Sequence, residues 1–341
     1  MPASQAPRCS FPTLPHPAVY VIHENDEWVA PLRQAFEERG IPYAEWFVHG
    51  GSVDLSSAPP EGVFFNRMSA SSHTRAHRYA VELTAPLLSW LQHHGRRVVN
   101  GRRSLQLEIS KFEQYLALRA VGIRTPETIA ASGQEEILAA ARALGQLPFI
   151  LKPNRGGKGL GVRLFNDLDE LARHLTDAQD GSLDGIELVQ QYVRPAHGRI
   201  TRMEFIDGAF YYQVDVDTSG GFELCPADSC EVGDQFCPAP GEETRKKFQL
   251  SARDPDRELV AQLETFFRDN EAEIAAAEYV ENEVGERFVY DVNMNTNYNQ
   301  QAERDAGNGR RGMDRIAEFL GRELARVVAS GAEHGTRGET R

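Results

Sequence analysis

The chain has 341 residues, a formal net charge of −13, and 41% apolar and 26% charged residues. That length is more than one ordinary core needs and suits two or three subdomains of a soluble globular protein. The acidic balance argues against nucleic acid as the main ligand, and no apolar run is long enough to span a bilayer, so neither nucleic acid nor membrane is expected as a partner.

Cys9, Cys225, Cys230 and Cys237 do not make a secreted disulfide framework at this length. The first residues lack a basic stretch followed by an apolar one, so a cytoplasmic protein is expected. Residues 1–17 are rich in Pro, Ser and Ala and read as a loose arm, and the polar tail after Ala329 reads as frayed. Ala18 to Ile22 is a compact apolar strand. Asn25 or Asp26 caps a helix through Arg39 that Gly40 stops. Strands follow at Tyr43 to Val48 and Gly62 to Asn66, then a long helix from about Thr74 to His94, then a strand at Arg97 to Asn100. Strands alternating with helices predict a small open parallel sheet.

Two helices are predicted over Ser104 to Ile109 and Ser110 to Val121, an extended stretch over Glu127 to Ala131, and a helix over Gln134 to Leu144. Next comes LPFILKPNRGGKGLGVRLF, a strand ending in Lys152, a loop carrying Gly156, Gly157, Gly159 and Gly161, and a second strand. A strand–glycine loop–strand hairpin is neither a Walker loop nor a Rossmann turn, both of which lead into a helix. Glycines let backbone N–H groups close on a phosphate, and Lys152, Arg155 and Lys158 add positive charge. The hairpin therefore reads as a lid over a triphosphate. A helix over Asp167 to Leu175 and a strand over Glu187 to Val193 follow, then paired strands Arg199 to Ile206 and Ala209 to Val216 turning at Asp207-Gly208. Cys225 to Ser251 reads as irregular. A helix over Asp256 to Asn270 precedes two strands, Ala276 to Glu283 and Glu286 to Asn293. Met313, Ile316, Leu320, Leu324 and Val327 mark a last helix.

The order of these parts resembles the ATP-grasp superfamily, and within it the RimK-type, or glutathione-synthetase-like, carboxylate–amine ligases. Lys111 opens a helix, Lys152 ends a strand before the glycine loop, and Gln190-Gln191-Tyr192-Val193 matches an [EQ]-x-Y-[VI] strand. Arg202 lies on the next strand, and Glu281, Asp291 and Asn293 lie on the last two. The likeness covers about Ser110 to Asn299. It implies an α/β and α+β multidomain protein with an ATP-grasp fold. An arm (1–17) would precede an N-terminal open parallel-sheet, or pre-ATP-grasp, domain (18–108). A lid subdomain (109–194), a C-terminal α+β subdomain (195–330) and a tail (331–341) would follow.

The resemblance implies that Lys111 and Lys152 contact the phosphates of ATP from two sides, with Arg155, Gly156, Gly157, Lys158 and Gly159 in the lid. It implies that Gln190, Gln191, Tyr192 and Val193 form the hinge that reads adenine. Glu281, Asp291 and Asn293 offer hard oxygen ligands suited to Mg²⁺ or Mn²⁺. The family usually has Glu where Asp291 stands, which leaves the metal count open. Arg202 matches the arginine that stabilises the transferred phosphate, although Ile200 stands where the family often has an acid. Arg67 and Arg75 follow the third strand, at the end of an open sheet where ligands bind, and could clamp a substrate carboxylate. Asp228, Asn295 and Asn297 are read as lining the acceptor site. The three later cysteines lack a fourth ligand for zinc. The expected reaction is ATP-dependent amide or peptide-bond formation between a small carboxylate and an amine, with an amino acid or peptide as acceptor. A phosphotransferase and a non-catalytic nucleotide-binding protein on the same fold remain the alternatives, and a homodimer is compatible with an acidic multidomain enzyme.

Overall fold

The structure is a computed structural model that describes residues 11–157, 159–177, 181–218, 247–307, 309 and 311–338. The first sheet is parallel, with β1 (Ala18–His23), β2 (Tyr43–Phe47), β3 (Gly62–Asn66) and β4 (Arg97–Val99) in the order β2-β1-β3-β4. Every residue of β1 is buried, as expected for a parallel strand covered on both faces. By the strand period of two, Tyr20 and Ile22 pack with Trp46, Phe64 and helix α2 (Ala80–His93). Val19 and Val21 pack on the other side with α1 (Asp26–Arg39) and the last helix. Asn25 caps α1 through its side chain, and Gly40 ends it in the left-handed region at φ 63°, as the sequence predicts.

Next in the chain are α3 (Arg102–Glu108), α4 (Lys111–Ala120), β5 (Thr128–Ala131), α5 (Gln134–Leu144), β6 (Phe149–Pro153), β7 (Arg163–Phe165), α6 (Leu168–Asp177) and β8 (Glu187–Gln191). Strands β5-β8-β6-β7 form an antiparallel sheet covered by α5 and α6 around Phe149, Phe165, Ile137 and Leu171. The third sheet is antiparallel, in the order β11-β10-β9-β12-β13. Its strands are β9 (Arg199–Ile206), β10 (Ala209–Asp217), β11 (Phe248–Leu250), β12 (Ile274–Glu281) and β13 (Arg287–Asn293). Met203, Phe205, Ala275 and Tyr279 on one face pack against α4 and α7 (Arg257–Asp269). Ile206, Val214 and Ile274 join Val63, Phe65, Ile316 and Leu320 in one core, so α9 (Gly312–Gly338) links the first and third sheets.

Several expectations change. The helix expected from Thr74 starts at Ala80, after a single 3-10 turn over Ser72–Arg75. Ala76 takes a left-handed φ of 64°, and Arg75 and His77 turn back onto the buried carboxylate of Glu24. The expected loose arm is packed from Phe11 onward: Phe11 stacks on Trp46, whose Nε1 donates to the Pro12 carbonyl at 2.8 Å. α9 continues past Ala329. The sequence reading missed β11 and α8 (Gln300–Ala306), which Asn299 caps. The cysteines, Lys158 and Asp228 lie outside the described residues. Among the described residues, no helix is long and apolar enough to cross a membrane.

Asn100 joins the first sheet to the third. It is fully buried at a left-handed φ of 55°. Its Nδ2 donates to the carbonyls of Ile274 (2.6 Å) and Met294 (2.8 Å), and its Oδ1 accepts from the N–H groups of Glu273 (2.9 Å) and Ile274 (3.1 Å). Asn100→Ala leaves several buried backbone groups without these partners. The expected loss of unfolding free energy is about 3 kcal/mol or more, measured by urea denaturation. A loss under about 1 kcal/mol would show that this junction carries little of the stability.

Candidate active site

A cavity of about 770 Å³ opens between the second and third sheets and the loops after β3 and β13. Its floor is set by strand register. Arg202 on β9 lies opposite Glu278 on β12, and Glu278 lies opposite Asp291 on β13. Three charged side chains thus form one cross-strand row. Two residues along, Ile200 and Val280 form an apolar row that also lines the cavity, with Ile150, Leu164 and Val193 nearby.

The row is closed by hydrogen bonds within the protein. Arg202 donates to Glu204 (2.7 Å), Glu278 (2.7 Å) and the Thr296 hydroxyl (2.5 Å). Glu278 also accepts from the Tyr290 hydroxyl at 3.0 Å, and burial raises its pKa against the opposing effect of Arg202. Lys111, at the start of α4, forms an ion pair with Asp291. Burial opposes charge on Lys111, but Asp291 outweighs it and holds the lysine above its usual range. Ser110 caps α4, and Asn154 ties it to the end of β6: its carbonyl accepts from Lys111 N at 3.2 Å and its Oδ1 from Phe112 N at 2.9 Å. Asn154 follows Lys152 by two residues, so the two lysine-bearing segments are fixed to each other.

Lys152 is 5% exposed and lines the same cavity. Burial, with Lys111 nearby, lowers its pKa to about 7. Glu108 at the end of α3 also faces the cavity. It accepts from Ala70 N (3.2 Å) and Met294 N (2.8 Å), and burial raises its pKa to about 7.

The cavity is lined by Lys111, Lys152, Gly156, Gly157, Gly159, Gln190, Gln191, Tyr192, Val193, Arg202, Asp291, Asn293, Asn295 and Asn297. The glycine loop packs against the loop after β3, where a Cβ at Gly157 would stand 3.2 Å from the Cβ of Ser71. Gln190 is buried and donates to the Thr128 hydroxyl at 2.8 Å, while Gln191 pairs with Glu127 through both backbone and side chain.

Four expected site residues stand elsewhere. Glu281 pairs with Arg287 at 2.9 Å and is not among the cavity-lining residues; Glu278 takes the expected place beside Asp291. The cause is a bulge at Tyr290, which has no partner in the ladder. The extra residue reverses the alternation of faces, so Asp291 shares a face with Glu278 and Val280 instead of Tyr279 and Glu281. Arg155 turns out of the cavity to Glu82 on α2, at 2.7 Å. Arg75 pairs with buried Glu24 and lies over the Trp28 ring at 4.8 Å. Arg67 is buried and donates to Asn295 Oδ1 (3.2 Å), Asn297 Oδ1 (2.7 Å) and the carbonyls of Trp28 (2.9 Å) and Thr296 (3.3 Å). Burial with no carboxylate among these partners lowers its pKa to about 10. Arg67 and Arg75 therefore do not form a substrate clamp; Arg67 shapes the loop that carries Asn295 and Asn297. The sequence reading also missed Glu278, Glu108, Tyr115 and Tyr290. The resemblance pointed to Glu281 as an acid on the preceding strand, and only the bulge identifies Glu278.

Two carboxylates and an amide oxygen, from Glu278, Asp291 and Asn293, line one side of the cavity. That donor set is hard and fits a magnesium or manganese ion that also takes ligands from a nucleotide. Among the described residues, no three His, Cys, Asp or Glu side chains form a preassembled metal cluster.

No family model matches the chain. Mouse N-acetylaspartylglutamate synthase A is 28% identical over 194 residues, 52% of this chain and 48% of that protein, so the match spans about half the relative's length. The fold matches a RimK-domain ATP-grasp protein from Sphaerobacter thermophilus with a TM-score of 0.60 and 19% identity, covering 89% of this chain and 98% of that one. It matches D-cycloserine synthetase DcsG with a TM-score of 0.62 and 18% identity, covering 90% of this chain and all (100%) of that one. The chain therefore has the ATP-grasp fold.

Proposed function

We propose that this protein is an ATP-dependent ligase that joins a carboxylate to an amine through an acyl-phosphate, releasing ADP and phosphate. The observation that carries this reading is that two lysines, an arginine, a carboxylate pair and a glycine loop meet in one cavity beside an apolar row. Its volume lies in the range of small-molecule sites.

The base of ATP would lie on Ile200 and Val280, with the backbone of Gln191 to Val193 at its edge. Lys111 and Lys152 would take the phosphates as compact point charges. Glu278, Asp291 and Asn293 would hold magnesium or manganese, which when bound would neutralise phosphate charge. A carboxylate oxygen of the substrate attacks the γ-phosphorus, the bond to the bridging oxygen breaks, and ADP leaves. The amine nitrogen then attacks the acyl carbon, the carbon–oxygen bond to phosphate breaks, and the nitrogen gives up a proton. Arg202 stabilises charge on the phosphoryl oxygens. Such catalysis depends on positioning and electrostatics rather than on a covalent enzyme intermediate. The lid against Ser71 would keep water from the acyl-phosphate. An amino acid or peptide substrate is supported by the product in the mouse relative's name, N-acetylaspartylglutamate.

ADP release screened over pairs of amino acids and small carboxylic acids should require both partners, with an amide identified by mass spectrometry. Release with the acid alone, leaving a stable phosphorylated product, would favour a phosphotransferase. With an active pair in hand, Glu278→Gln and Asp291→Asn should each lower turnover by about 100-fold or more, while Glu281→Gln should stay within about twofold of wild type. Comparable losses for Glu278→Gln and Glu281→Gln would contradict the placement of the metal site.

Binding should also depend on pH. As pH rises through about 7, Lys152 loses its proton and Glu108 ionises, so both changes make the site less positive. ADP affinity, measured by calorimetry, should therefore fall between about pH 6 and about pH 8. The slope should flatten in the Lys152→Met, Glu108→Gln double variant. An equally steep slope in that variant would assign the titration to other groups.

A further inference from the structure

The two cavity lysines are held by different means. Lys111 faces the carboxylate of Asp291. The hydrogen-bond acceptors of Lys152 are neutral: its Nζ donates to the Tyr115 hydroxyl at 2.5 Å and to the Tyr290 carbonyl at 3.3 Å. The Tyr115 hydroxyl donates to that same carbonyl at 2.7 Å. A phenol has one proton, and here it goes to the carbonyl, so towards Lys152 the oxygen acts only as an acceptor. The carbonyl is available because Tyr290 is the bulged residue, which the strand ladder leaves unpaired. Tyr115 is 3% exposed and lies one helical turn beyond Lys111 on α4. One turn of one helix therefore supplies Lys111 and the oxygen that holds Lys152.

We infer that Tyr115 is a positioning residue for Lys152. Its hydroxyl and the bulge carbonyl engage two of the three ammonium protons, so the third is presented to an anionic group in the cavity. This rests on the reading that Lys152 binds nucleotide phosphate. It gives the bulge a second role besides setting the faces of β13: it provides the backbone oxygen that the phenol and the ammonium share.

Tyr115→Phe separates the hydroxyl from the ring. The ring keeps its place in the core beside Leu107 and Leu118. ADP and adenosine binding would be measured by calorimetry for wild type, Tyr115→Phe, Lys152→Met and the double variant, with melting curves of all four. Tyr115→Phe should weaken ADP binding by roughly 10-fold and leave adenosine binding unchanged. In the Lys152→Met background, Tyr115→Phe should change ADP binding by less than about twofold, because its effect acts through the lysine. Equal weakening of ADP and adenosine, or the same loss of ADP binding in both backgrounds, would overturn the inference and make Tyr115 a packing residue. If Lys152→Met weakens ADP binding and Tyr115→Phe does not, the positioning role alone fails. If Lys152→Met leaves ADP binding unchanged, the phosphate reading of Lys152 fails and the inference fails with it.

Discussion

The ion pair between Lys111 and Asp291 joins the first turn of α4 to β13 in the cavity wall. A buried charge without a partner is costly, so a pocket built for a polyanion and a cation must satisfy its own charges when neither is bound. Here Lys111 answers Asp291, and Arg202 answers Glu278 and Glu204. The groups suited to phosphate thus neutralise the groups suited to metal. In the proposed enzyme, nucleotide and metal would enter together, each taking over one half of a pair already present.

The first sheet and the segments after β3 and β4 support this arrangement through buried polar contacts. Arg67 holds Asn295, Thr296 and Asn297; Glu108 joins Ala70 to Met294; and Asn100 ties β4 to β12 and Met294. All three side chains are buried or deeply placed, and all converge on the loop after β13. The shape of the cavity wall opposite the lid therefore depends on residues far away in sequence. Arg155, which pairs with Glu82 on α2, ties the glycine hairpin to the helix that covers the first sheet.

Local signals were legible in the sequence. Asn25, Ser110 and Asp256 cap helices through their side chains, Gly40 ends one, and Asp207-Gly208 turns the β9–β10 hairpin with both residues at positive φ. The order of lysines, glycine loop and acid-bearing strands was enough for the ATP-grasp fold, which the structure and its neighbours share. The errors came from partners distant in the chain. Nothing near Arg75 reveals that Glu24 waits at the end of β1, and nothing near Arg67 reveals four oxygen acceptors. The bulge at Tyr290 is a single unpaired residue with no distinctive local composition, yet it moves an acid from one face of a strand to the other. Strand alternation is reliable only while the ladder is unbroken.

The most direct measurement is a structure of the protein with magnesium and a non-hydrolysable ATP analogue. In that complex Lys111 should have left Asp291 for a phosphate oxygen, with Lys152 on the opposite side of the phosphates and the metal on Asp291 and Glu278. An analogue bound outside this cavity, or bound within it while Lys111 remains on Asp291, would show that these pairs do not form the nucleotide site.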